Sequence, residues 1–211
     1  MPENITITIS RQIGSGGSHI GQKLASNLGF KYVDREIVRQ VANHLKEEES
    51  LLMERDERVM SPWERILNAF SLCAPETGHV PPVRPLLDED LFAVEAMIIR
   101  KIASHGSAVI VGRGAFHILE KHPGLIKVFL HASPEFRIRR VMDIFHITDY
   151  EKAKILTENS DKQRGKFIKS IARIEWMNTT NYHLSIDTGV VGFTDACEMI
   201  LRRARSMLAN P

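Results

Sequence analysis

The sequence predicts an α/β domain with a five-stranded, mostly parallel sheet and helices on both faces. Three observations carry this. Short runs with period-two or all-apolar character recur five times. Segments with helical periodicity separate each run from the next, and the first run ends in a glycine loop that opens a helix.

Ile5, Ile7 and Ile9 alternate with Thr6, Thr8 and Ser10, which reads as the first strand, ending in the loop 11–17. From Ser18 onward Ile20, Leu24 and Leu28 repeat at helical spacing, and Gly29 stands where a helix C-cap wants it. A short strand over 30–33 runs into Asp34, where a second helix begins with Ile37, Val38, Val41 and Leu45 on one side. Residues 46–58 mix both signs of charge with only three apolar residues, as a solvated projecting helix does. Pro75, Pro81, Pro82 and Pro85, with Gly78, exclude a regular element, so that stretch reads as a loop or flap. Asp88 is placed to cap a long helix whose stripe is Leu91, Val94, Ile98 and Ile102, widened by Phe92 and Ile99 and closed by Gly106.

Residues 108–111 and 126–130 are two further strands; the first is all apolar, as in a sheet covered on both faces. Ser133 and Pro134 open a helix with Ile138, Val141, Met142 and Phe145 inward, and with Arg137, Arg139 and Arg140 off that face. Thr148 with Glu151, and Ser160 with Gln163, fit capping-box spacing and predict two more helix starts. A strand over 183–186, the turn Asp187-Thr188-Gly189 and a helix with Ile200, Leu201, Ala204 and Leu208 aligned complete the domain.

A chain of 211 residues suits one domain, and 43% apolar with 26% charged residues excludes bulk disorder. A net charge of +2 is too balanced for a protein that lives on a nucleic-acid backbone, and the arginines over 137–140 lack interleaved aromatics, so nucleic acid is disfavoured as a partner. Cys73 and Cys197 read as two reduced thiols, and the histidines form no metal-ligand set. The first ten residues lack a basic stretch followed by an apolar one, and no apolar run reaches membrane-spanning length; a cytoplasmic protein without a membrane partner is expected.

Gly14-Ser15-Gly16-Gly17-Ser18 lies between a strand and a helix, where main-chain amides and the helix dipole favour an anion. A tight turn that needs glycine only for its dihedrals is the plainer alternative. Against the motif G-x-x-x-x-G-K-[ST], Arg11 holds the first glycine's place, Gly17 the lysine's, and Ser18 that of the metal-binding hydroxyl. Another cation must then meet the charge that develops in phosphoryl transfer, and Arg11 is the nearest, unless it pairs with a carboxylate. A dinucleotide fingerprint fails, because its third glycine would fall on His19.

With these motifs the chain resembles the cytidylate kinase-like family, distant relatives of bacterial cytidylate kinase among the P-loop nucleoside monophosphate kinases. The resemblance spans nearly all of it: ITISRQIGSGGSHIGQKLASNLGFKYVDREIV, VIVGRGAFHIL, VFLHASPEFRIRRV, SDKQRGKFIKSI and LSIDT. It implies a three-layer α/β/α P-loop kinase fold with a five-stranded parallel sheet. It implies a single domain over 1–211, with 35–105 as a helical acceptor-binding insert and about 140–165 as a lid.

The implied donor site is Gly14, Ser15, Gly16, Gly17, Ser18 and His19, binding ATP with Mg2+ at Ser18. Asp34, Arg35 and Arg113 are the implied acceptor residues, and Arg137, Arg140 and Arg164 resemble lid arginines that act with Arg11 and Arg113 in catalysis. Cytidylate kinase proper has Asp-Gly-Arg-Asp where this chain has Val111-Gly112-Arg113-Gly114, so two carboxylates are absent and cytidine specificity is not implied. The expected activity is transfer of the γ-phosphoryl of ATP to a nucleoside monophosphate or similar small acceptor. A nucleotide-binding sensor or scaffold that lost turnover with the lysine is the alternative, and a homo-oligomer stays open.

Overall fold

Alternation along the strands sorts the side chains into two layers. The computed structural model describes residues 4–35, 37, 38, 41 and 89–209. It contains strands β1 (Thr6–Arg11), β2 (Lys31–Val33), β3 (Ala108–Val111), β4 (Leu125–His131) and β5 (Leu184–Asp187). Its helices are α1 (Gly17–Leu28), α2 (Glu89–His105), α3 (Ala115–Ile118), α4 (Pro134–Phe145), α5 (Tyr150–Ala172), α6 (Thr188–Val191) and α7 (Phe193–Ala209). Residues 35, 37, 38 and 41 are helical as well.

The five strands form one sheet in the order β2-β3-β1-β4-β5, and every pairing is parallel. Ile5, Ile7 and Ile9 point to one face, where Ile20 and Leu24 of α1 and Ile200, Leu201 and Ala204 of α7 cover them. Ala108 and Ile110 point to the other face, against Ile98, Ile99 and Ile102 of α2 and Ala115 of α3. Farther along that face Phe129 of β4 packs with Ile168 of α5, Trp176 and Tyr182. The α/β sandwich read from the sequence is the architecture observed.

The register sets the position of the site. Ile9 pairs with Val111, so Arg11 leaves β1 beside Gly112 and Arg113 leaving β3. Val33 pairs with Ile110, which brings Asp34 and Arg35 to the same end of the sheet. The connection after β1 leads toward β2 and the one after β3 toward β4, in opposite directions, so a crevice opens beyond the carboxyl ends of these two neighbours.

Several elements differ from the sequence reading. Residues 150–172 form one helix of 23 residues, with no second start at Ser160. Asp149, not Thr148, is its cap, accepting from the Lys152 amide at 3.2 Å. Once this cap starts the helix, no proline interrupts it, and Ser160 sits in its interior. Arg137, placed off the inward face of α4, is buried, because α5 and the loop after β1 cover that flank. Leu208 lies on the expected stripe of α7 but is 53% exposed, while Met207 beside it in the last turn packs against the core. The one-turn helices α3 and α6 had no periodicity to announce them. Asp88, the charged stretch 46–58, the proline-rich stretch 75–85, Cys73 and the greater part of the proposed insert fall outside the described residues. Cys197 is a buried free thiol, and among the described residues no helix is long and apolar enough to cross a membrane.

Leu24→Ala is expected to cost about 2–5 kcal/mol in urea unfolding, because Leu24 is fully buried between α1 and the sheet. Leu208→Ala should change stability by less than about 0.5 kcal/mol. Equal effects of the two would contradict the layering.

Candidate active site

The loop after β1 turns on two left-handed glycines. Gly14 has φ of +82° and Gly16 of +79°, and neither has room for a side chain. A Cβ on Gly14 would lie 2.7 Å from the Arg137 carbonyl oxygen, and one on Gly16 2.6 Å from Phe193 Cε1. The loop is pinned from below. The buried Ser15 hydroxyl faces the carbonyls of Gln12 at 2.8 Å and Leu130 at 3.1 Å, and the Thr188 hydroxyl reaches the Ser15 carbonyl at 3.0 Å. Ser15 therefore shapes the loop with its side chain and has no hydroxyl left for a ligand.

Gly16 is the N-cap of α1 and makes no side-chain cap, and the first turn carries no acidic residue. The amides of Gly17, Ser18 and His19 thus begin a 12-residue helix without an internal side-chain acceptor. Ser18 and His19 are exposed at this end. The Tyr32 ring lies behind it, with its buried hydroxyl beside Ser18 and Asp34. Burial, then the charge of Asp34, raises the Tyr32 pKa, so this phenol stays neutral and is a donor. Asp34 also caps the helix after β2, accepting from the Ile37 amide at 3.1 Å.

Arg11 leaves the end of β1 with its stem against Gly17 and its Nη1 against Gly112. Gly112, Arg113 and Gly114 all have positive φ, +85°, +54° and +67°. For the arginine this conformation costs roughly 1 kcal/mol. It aims the Arg113 guanidinium at Glu95 of α2, with which it forms a buried ion pair, and lays it 5.3 Å from the Phe167 ring of α5. Burial and the neighbouring charges of Arg35 and Arg11 pull the Arg113 pKa below its ordinary value.

The lid-like elements meet the loop at Asp161 of α5. Its Oδ2 accepts from Gln12 Nε2 at 3.0 Å and from Arg137 Nη1 at 2.9 Å. Arg137 also donates through Nε to the Ala132 carbonyl at 3.1 Å and reaches the Ile13 carbonyl at 3.4 Å. All its visible bonds are internal, so it braces the loop from behind. Arg164 stands 4.0 Å from Asp161 Oδ1, and its buried Nη1 has no hydrogen-bond partner. Burial and then Arg11 depress its pKa, with Arg35 and Arg137 adding to this against the opposing pull of Asp161. Arg140 lies apart, its Cζ 4.3 Å from the Phe193 ring centroid on the outer side of Gly16.

The structure thus gathers Arg11, Arg35, Arg113 and Arg164 at one end of the sheet, near enough to disfavour each other's charge. It places the glycine loop beside them; Arg137 is turned to Asp161 and the loop carbonyls while its charge still adds to the pull on Arg164, and Arg140 packs on the Phe193 ring. Sequence reasoning missed Tyr32, Gln12 and Glu95. Glu95 alone left a signal, a carboxylate among the apolar residues Val94, Ile98 and Ile99 of α2; the other two are known only by what folds against them.

Residues 6–190 match the Cytidylate kinase-like family. The chain belongs to this family. Among solved structures, an uncharacterized protein from Eubacterium ventriosum ATCC 27560 has a TM-score of 0.72 at 24% identity, over 96% of this chain and 99% of that one. A gluconokinase from Sinorhizobium meliloti 1021 has a TM-score of 0.54 at 17% identity, over 99% and 98%. Both are similar in fold. No curated protein matches this sequence. The cytidylate kinase-like chain is accordingly a kinase-type phosphotransferase by family, on a P-loop kinase fold.

Arg164→Met should raise the stability of the unliganded protein by about 1 kcal/mol, because it removes a charge that is poorly solvated and repelled by its neighbours. Asp161 keeps Arg137 and Gln12 in that variant. A thermal melt that shows clear destabilisation would contradict this reading of the cluster.

Proposed function

We propose that the protein transfers the γ-phosphoryl of ATP to a nucleoside monophosphate or a similar small acceptor that carries its own phosphate. The observation that supports this most is the gathering of Arg35, Arg113 and Arg164 within electrostatic reach of Arg11, beside a helix start that carries no side-chain cap. Like charges brought together under desolvation are costly alone and favourable around a polyanion. An acceptor phosphate beside a donor triphosphate supplies that counter-charge.

The residues divide the work by position. Loop amides from Gly14 to His19, with the α1 dipole, hold the donor phosphates. Arg113, set by Glu95 and Phe167, and Arg35 orient the acceptor phosphate in line with the donor. Arg164 reaches the crevice from α5, within the segment 140–165 that we read as a lid, and residues 35–105 form the acceptor insert in this reading. An acceptor phosphate oxygen forms the new bond to the γ-phosphorus as the bond to the bridging β-oxygen breaks, giving ADP and a nucleoside diphosphate. The attacking oxygen is already ionised near neutral pH, so no general base is required.

The Ser18 hydroxyl, exposed at the helix start next to Asp34 and Tyr32, suits a magnesium ion that also takes phosphate oxygens; among the described residues no cluster of carboxylates, histidines and cysteines could hold a metal alone. When bound, that ion would withdraw charge from the transferring group. Gly17 in the lysine's place favours a second reading, nucleotide binding without turnover.

A panel of nucleoside monophosphates with ATP and magnesium separates the two: ADP formation with at least one acceptor is expected, and binding without ADP across the panel leaves only the second. Arg113→Ala, made together with Glu95→Gln so that no lone carboxylate is buried, should slow transfer by about 10²–10³-fold. Wild-type turnover in that folded variant would contradict the role of Arg113.

A further inference from the structure

The place of Gly17 is occupied from outside. A Cβ built there would lie 2.5 Å from Arg11 Cγ, 2.9 Å from its Cβ and 3.3 Å from its Cδ. These are stem atoms, rooted in the last residue of β1, and they cannot swing aside as a side-chain tip could. The far end of the same side chain is confined as well, because its Nη1 lies against Gly112, where a Cβ would overlap it. Arg11 therefore runs in a track between two glycines, one at the start of α1 and one at the end of β3.

Among the described residues Arg11 has no ion pair, and the pull of burial on its pKa exceeds what Tyr32 and Asp34 restore. The track runs from the donor loop at Gly17 to Gly112, next to Arg113, and the guanidinium is felt electrostatically by Arg113 and Arg164.

We infer that Arg11 and Gly17 are an exchanged pair: Arg11 supplies, from the strand side of the loop, the cation for a bound polyphosphate, and residue 17 is glycine because the Arg11 stem fills the volume where its side chain would begin. This deepens the phosphotransfer reading by assigning the replacement for the missing lysine to Arg11 rather than to Arg137, Arg140 or Arg164. It also makes lysine at 17 and arginine at 11 mutually exclusive. The ligand class is a linear di- or triphosphate, whatever is attached to it.

Calorimetry with inorganic tripolyphosphate tests this without relying on turnover. Arg11→Met should weaken binding by about tenfold or more, the loss of one charge-assisted contact, with the circular dichroism spectrum unchanged. Gly17→Lys alone should bind at least as weakly, or fail to fold. The double variant Arg11→Ala with Gly17→Lys should fold and recover binding to within about threefold of the unchanged protein, because shortening residue 11 frees the volume for a lysine. Unchanged binding in Arg11→Met, or in Gly17→Lys alone, overturns the inference; so does a double variant that binds no better than Arg11→Ala, and so does a wild type that binds no tripolyphosphate. If tripolyphosphate binds as expected but no acceptor is phosphorylated, the phosphotransfer reading fails and the exchanged pair stands.

Discussion

Arg11 lies within electrostatic reach of Arg35, Arg113 and Arg164 beyond the carboxyl ends of two adjacent strands, and this gathering of guanidinium groups is the constraint around which the site is arranged. Arg113, Arg11 and Arg164 are each held by contacts deeper than a surface ion pair. Arg113 is clamped by a buried glutamate and a phenylalanine ring after a left-handed turn. Arg11 is threaded between glycines, and Arg164 is carried on a long helix anchored through Asp161. Strain at Arg113 and desolvation of Arg11, Arg113 and Arg164 are costs that a folded protein tolerates when the arrangement serves a ligand. The apolar layers on both faces of the sheet make that tolerance affordable.

Glycine does a different job at each point of the site. Gly14 and Gly16 give the loop its left-handed bends and let Arg137 and Phe193 approach. Gly112 makes way for the Arg11 guanidinium, while Gly114 makes way for Ile171 of α5. The site is dense in glycine because the loops after β1 and β3 meet residues of α4, α5 and α7 and the Arg11 side chain where a Cβ would collide. That convergence follows from neighbouring parallel strands that end within two residues of each other, with Ile9 opposite Val111 and Val33 opposite Ile110.

The elements that could be read from the sequence are those with a local cause. Alternating isoleucines announced β1, the Ser133-Pro134 pair announced α4, and Gly29 closes α1 in the left-handed conformation expected of it. The glycine loop and Arg113 at a strand end were legible for the same reason. Signals that compete along the chain misled: Ser160 with Gln163 has the spacing of a helix start, yet a helix already running from Asp149 passes through it. Partnerships across the fold left little trace. Arg137 looks like a surface arginine until Asp161, 24 residues away, and the carbonyl of Ile13, 124 residues away, are folded onto it. The Tyr32 hydroxyl beside Ser18 likewise depends on the packing of β2 against α1, which periodicity does not encode.

The central claim is that the outward loop amides and the crowded guanidiniums form one polyanion site. A titration of isotope-labelled protein with ATP and magnesium, followed by NMR at backbone amides and arginine Nε groups, addresses it most directly. The account predicts that the largest shifts fall together on the amides of Gly14, Gly16, Gly17, Ser18 and His19 and on the Nε groups of Arg11, Arg113 and Arg164, with Arg137 moving less. Shifts confined to the exterior near Arg140, or a loop that stays unperturbed while ATP binds elsewhere, would contradict it.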